Sequence, residues 1–212
     1  VLVIEEAVAS GVHVTAETTL HHLLLNDTHY ARLGNYLKCN PAVKSEADRV
    51  ALWDGLRRGV IQMIATDNAP HPAEAKNRPY MQAPAGCVSV EFLMPLLLNE
   101  VNAGRMTLPE LALWTADEPA ELFGVAGVGR KGRIEPGYDA DIVVCDLERV
   151  RTITKESIRS ACGHSPWVEC ELKGWPVLTL LRGEPVFASG ATFPRRPAVP
   201  RALRFHVEDE AS

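Results

Sequence analysis

Six mid-chain residues, Val60-Ile61-Gln62-Met63-Ile64-Ala65, constrain the fold more than any other segment. Five of the six are apolar, without the alternation of a strand that has one face in water. Such a run reads as a strand of a parallel sheet covered on both faces. The residues before it agree. Ser45 is placed to cap a helix, with Asp48 in the capping-box position, and the helix runs from about Glu46 to Arg58 until Gly59 stops it. After the strand comes a long loop, Thr66 to Gly86, of a length that in compact domains is usually functional or mobile.

Around this centre the chain alternates helix and strand up to Gly124. Val1, Ile4 and Val8 share a helix face that ends at Gly11, and Val12 to Glu17 reads as a short strand. A helix is expected over Cys87 to Ala103 with a kink at Pro95. Thr107 and Glu110 form a second capping box, and Asp117 is placed to cap a last short helix. The texture then changes. Gly127 to Gly137 is rich in turns, and strands are expected at Ile142 to Cys145, Val168 to Leu172, Val177 to Leu181 and Pro185 to Ala188. The expected division is an α/β part at 1–124, a small β-sandwich-like domain at 125–190 and an extended tail at 191–212.

Composition narrows the function. The net charge is -5 with both signs mixed along the chain, and no basic tract interleaves with aromatics, so nucleic acid is not an expected partner. The longest apolar stretches, such as Phe92 to Leu98, fall far short of the ~20 residues of a membrane span. Five cysteines with no C-x-x-C pair read as reduced thiols of a cytoplasmic protein.

Asp67 directly follows the apolar strand, where α/β barrels carry their catalytic groups. A carboxylate there can ligate a metal and take a proton from water that the metal has acidified. Taken on spacing alone, Asp67 reads sooner as a turn residue and His71 as an exposed loop histidine.

A resemblance sharpens the reading. Ala65-Thr66-Asp67-Asn68-Ala69-Pro70-His71, with Lys76 after four free positions, resembles the signature of the dihydroorotase family. Val14-Thr15-Ala16-Glu17-Thr18-Thr19-Leu20-His21-His22-Leu23 is similar to another family segment, with Leu20 where proline is usual. Lys38-Cys39-Asn40-Pro41 resembles the Asn-Pro-Pro segment, with Ala42 in place of the second proline. Gly137-Tyr138-Asp139-Ala140-Asp141 resembles the turn that opens the small β-domain of the superfamily. The resemblance spans roughly Val1 to Gly190.

The resemblance implies the C-terminal part of a (β/α)8 barrel plus a small all-β domain. It implies Asp67 as metal ligand and as the acid-base group, taking a proton during attack on a ring amide and delivering it to the leaving nitrogen. It implies Asn40 and His71 as binders of the substrate's polar groups, with Ala85 and Gly86 touching it through backbone. The cofactor would be a binuclear Zn2+ centre whose other ligands lie upstream of Val1. His21 and His22 are not among the family's ligands and read as packing or hydrogen-bonding residues. The implied reaction interconverts dihydroorotate and carbamoyl aspartate in pyrimidine synthesis, with the present stretch inactive alone. Two alternatives stay open: a related cyclic amidase (dihydropyrimidinase, hydantoinase or allantoinase), and a non-catalytic scaffold for aspartate transcarbamoylase. A homodimer is also open.

Overall fold

The computed structural model describes residues 1–125 and 130–189. The expected tail at 191–212 lies outside the described residues, as do 126–129 and 190 of the expected β-domain. The chain forms two compact units, one of Val1–Leu97 with Val150–Leu172, the other of Leu98–Arg149 with Lys173 onward.

The first unit is built on two parallel strands. β1 (Glu17–Thr19) pairs with β2 (Met63–Ala65) in the register Glu17 to Met63, Thr18 to Ile64 and Thr19 to Ala65. Both strands are shorter than their sequence suggests, and β1 lies later than the expected Val12 to Glu17. Hydrogen bonding gives the reason. After helix α1 (Leu2–Ala9), the Val12 amide still bonds back to Ala7 O. After the helix before β2, the Val60 and Ile61 amides both go to Gly55 O, and only Gln62 N reaches across, to Ala16 O at 3.0 Å. Gln62 is the polar interruption of the apolar run. Its side chain accepts from Ala16 N at 2.8 Å and donates to Gly59 O at 2.6 Å, which closes the sheet end.

Short helices pack around these strands. α2 (Leu20–Leu24) continues directly from β1, and α3 (Tyr30–Leu33) comes next. α4 (Glu46–Arg57) carries the capping box read from sequence, Ser45 Oγ accepting from Asp48 N and Asp48 Oδ2 from Ser45 N. α2 and α4 are pinned by Trp53 Nε1, which donates to Leu23 O at 3.0 Å. The core here is Leu20, Leu23, Leu37, Trp53, Leu56 and Val88. One helical turn, α5 (Ala73–Lys76), sits inside the long loop.

The expected helix from Cys87 begins only at Leu93. Asn68 forms a bridge with Cys87, and Asn68 Oδ1 accepts from the Ser89 and Val90 amides at 3.0 and 3.2 Å. The segment is thus held as a loop and a 3₁₀ turn before α6 (Leu93–Asn102) starts. Pro95 then falls in the first turn of α6, where its missing N–H has no partner to lose, so it need not kink the helix. The returning segment 150–172 is tied to the same loop. Glu91 accepts from the Arg159 and Ser160 amides, and Ser165 Oγ donates to Val88 O beneath the buried Trp167.

In the second unit, α7 (Leu108–Ala112) opens with the Thr107 and Glu110 capping box and runs through one π-helical turn into α8 (Glu118–Leu122). Asp117 does not cap α8; its carboxylate instead accepts from Arg133 Nε at 2.6 Å. Three strands, β3 (Ile142–Thr152), β4 (Glu171–Leu181) and β5 (Glu184–Ala188), follow in the order β3-β4-β5, the second unit holding all of them but the end of β3 and the start of β4. β4 is one strand where two were expected. β4 and β5 form a hairpin whose two loop residues, Arg182 (φ 50°) and Gly183 (φ 82°), both have positive φ, the mark of a type I′ turn. Lys131 pairs with Asp139 at 2.7 Å and with Asp141, and Asp141 also accepts from Arg182 N. These two aspartates serve the turns, as their sequence suggests.

Candidate functional site

Asp67 stands two residues beyond β2, at φ 42°. A non-glycine residue in this region is uncommon, and Asp tolerates it better than most because its short side chain bonds locally. The strained turn ends the strand and leaves Asp67 lining a cleft of about 760 Å³. Asn40 lines the same cleft, with Thr19, His22 and Asp48. His22 joins the two sides. One ring nitrogen bonds Thr19 Oγ1 at 2.7 Å and the other bonds Pro41 O at 3.0 Å. Burial opposes charge on His22, but the nearby Cys39 sulfur and the bond to the Pro41 carbonyl outweigh it and raise its pKa.

The other three residues singled out from sequence form a second group. His71 Nε2 donates to Ala85 O at 3.0 Å. Gly86 stands beside them at φ 146°, where a Cβ would lie 2.5 Å from Ala69 O and 3.1 Å from His71 Cδ2. Only glycine fits there. The residues that line the cleft include Asp67 and Asn40 but not His71, Ala85 or Gly86. Because Ala85 O can only accept, the proton of neutral His71 sits on Nε2, and Nδ1 can donate to an anion only in the doubly protonated ring.

Two residues that hold this group have roles the sequence does not reveal. Lys76 is 1% exposed, and its ammonium donates to Gly86 O at 2.8 Å, Pro84 O at 3.1 Å and Lys38 O at 3.3 Å. It therefore ties the segment before Asn40 to the segment around Gly86, and burial lowers its pKa. Its place in the signature flags it, but carbonyl partners carry no sequence signal. His164 bonds His71 O through Nε2 at 2.8 Å and lies against Tyr36, with ring centres 4.6 Å apart and planes tilted by 45°. Burial lowers its pKa.

Residues 2–186 match the amidohydrolase family. The chain belongs to the amidohydrolase family. Among curated relatives, dihydroorotase from Bacillus licheniformis is 40% identical over 191 residues, which is 90% of this chain and 44% of the relative. Dihydroorotase from Geobacillus thermodenitrificans is 41% identical over the same share of each. The chain thus spans less than half the length of the curated relatives it matches. Among solved structures it is similar to an L-hydantoinase (dihydropyrimidinase) from Arthrobacter aurescens, with TM-score 0.85 and 30% identity over 91% of this chain and 43% of that one. It is also similar to a D-hydantoinase (dihydropyrimidinase) from Thermus sp., with TM-score 0.81 and 26% identity over 90% and 43%.

Members of this family use a metal ion, and Asp67 suits one place in such a centre: an accessible carboxylate at a strand end beside a cleft. Among the described residues, Asp67 belongs to no group of three or more His, Cys, Asp or Glu donors close enough to share an ion. No helix among them is long and apolar enough to cross a membrane.

Proposed function

We propose that this chain forms one wall of the active site of a dihydroorotase. The observation that carries the reading is Asp67, held at positive φ beyond β2 and sharing a cleft with Asn40. The identity to proteins named dihydroorotase supports it. On this reading the first unit supplies late strands of a (β/α)8 barrel. Leu2 and Val3 line the same cleft and are 73% and 77% exposed, apolar surface that further barrel elements would cover. The division at Gly124 into barrel and small β-domain belongs to the same proposal.

Asp67 is assigned as one ligand of a divalent metal, taken to be zinc, whose remaining ligands come from barrel strands outside this chain. When bound, such an ion supplies the Lewis acidity that makes water a nucleophile near neutral pH. Asp67 then receives the proton of the attacking water and hands it to the ring nitrogen as the carbon–nitrogen bond breaks. Asn40 and His71 orient the substrate's carboxylate and ring polar groups. Ala85 and Gly86 approach it through backbone, which the absent side chain at Gly86 permits. A homodimer, a complex with aspartate transcarbamoylase and a cytoplasmic setting fit this assignment.

A hydantoinase or dihydropyrimidinase is the second reading, favoured by the structural neighbours. The substrates separate the two. Dihydroorotate carries a ring carboxylate that dihydrouracil lacks. Two donors left unpaired at ~1–3 kcal/mol each give about 10²-fold or more in kcat/KM. The intact enzyme should prefer dihydroorotate by that factor, and Asp67→Asn should lose ~10²–10⁴-fold of its turnover. Equal efficiency on both substrates moves the assignment to the second reading. An inactive protein that binds no metal points to a scaffold.

A further inference from the structure

Three soft donors meet beneath the proposed substrate wall. His21 on α2, Cys39 beside Asn40 and Cys87 beside Gly86 are 0%, 2% and 0% exposed. One ligand atom from each lies within 4.8 Å of the other two. His21 is the telling member. Both its ring nitrogens are buried and neither has a hydrogen-bond partner. Its neighbour His22, with ring centre 4.5 Å away, has both nitrogens occupied by Thr19 and Pro41. A buried imidazole with two idle nitrogens is rare, because every buried polar group that goes unpaired costs free energy. The two thiols have only weak partners, Pro41 O at 3.2 Å for Cys39 and Tyr36 O at 3.6 Å for Cys87.

We infer that His21, Cys39 and Cys87 form a second cation site, separate from Asp67, that takes a thiophilic d10 ion, Zn2+ or Cu+. Two thiolates and one imidazole are the donor set such ions select, and the trio lacks the carboxylate oxygens that Mg2+, Ca2+ and Mn2+ need. Binding releases one proton from each thiol and transfers no electron. Two thiolates balance the charge of Zn2+. With Cu+ one negative charge remains, near the Lys76 ammonium that acts on both sulfurs. An ion here would staple the segment carrying Asn40 to the segment carrying Gly86, and both to α2.

The experiment is a Co2+ titration of the intact protein, stripped of metal and kept reduced. A sulfur-to-cobalt charge-transfer band should rise, and Zn2+ or Cu+ should displace it, which tells the two ions apart by affinity. Asp67 has no sulfur, so this band is blind to the catalytic assignment, and hydrolysis assays are read separately. Cys39→Ser with Cys87→Ser should abolish the band. Because that variant could misfold, cadmium-113 NMR of the wild-type protein supplies an independent reading, with a shift in the range of two sulfur ligands expected. No band and no sulfur-ligated cadmium, in a protein with free thiols and native circular dichroism, overturns the site. So does a Cys39–Cys87 disulfide that re-forms in air while Zn2+ is present.

Discussion

Lys76→Met separates a structural lysine from a substrate-binding one. Methionine keeps most of the stem's volume and removes the ammonium. Of the three carbonyls that Lys76 serves, Lys38 O retains a bond from Gly86 N at 2.8 Å, whereas Pro84 O and Gly86 O lose their donor. Each buried acceptor left unpaired costs ~1–3 kcal/mol, so the gross loss is about 2–6 kcal/mol. Part of this returns, because burial disfavours the ammonium itself, as its lowered pKa records. A net loss of about 2 kcal/mol is expected, which moves a urea midpoint by roughly 1 M at m ≈ 2 kcal/mol/M. In the intact enzyme KM should rise more than kcat falls, since Ala85 and Gly86 lose their footing while Asp67 does not. A midpoint indistinguishable from wild type, or a kcat effect larger than the KM effect, would refute the reasoning.

Gly86→Ala meets backbone, with a Cβ 2.5 Å from Ala69 O at φ 146°. Overpacking and backbone strain together should cost about 2–6 kcal/mol. Gly104→Ala, at φ 70° in open space, should show only the strain, and equal urea midpoints for the two would count against this reading. His164 is predicted to make the protein acid-sensitive. Its folded pKa lies below the ordinary 6.5, so as pH falls through 6.5 the unfolded chain takes up the proton first. Stability should therefore drop from about pH 7 downward, by at most ~1.4 kcal/mol per pH unit, and level off below the folded pKa. His164→Gln should flatten that slope in urea titrations at several pH values; an unchanged slope assigns it to another group.

What is legible in the sequence is local. Both capping boxes, at Ser45 and Thr107, form where their spacing puts them, because the bonds they need lie three residues apart. The hairpin turn at Arg182 and Gly183 is equally local. The helix expected from Cys87 starts late because Asn68, 19 to 22 residues earlier, takes the amides that would have begun it. Asp67 can be found from the strand before it. The support of His71 cannot, since His164 reaches its carbonyl from 93 residues away. His21, Cys39 and Cys87 share no spacing that would mark them as one cluster.

The long loop after β2 reads in sequence as mobile or functional, and its bonds decide how it can be both ordered and useful. Ala69 N bonds Cys87 O, Gly86 N bonds Lys38 O, His71 bonds Ala85 O, and Lys76 closes the set. Three segments, 38–40, 68–71 and 84–87, thus hold one another, and none can shift without breaking a bond to another. Asn40, His71, Ala85 and Gly86 come from those three segments. Asp67 sits one residue before the second, already fixed by β2. The group proposed to move the proton is therefore anchored to the sheet, and the groups proposed to bind substrate to a cross-braced loop. Groups so held lose little freedom when a substrate arrives, which is where positional catalysis gains its rate. Damage to the brace should therefore weaken substrate binding first, and damage to β2 should strike proton transfer.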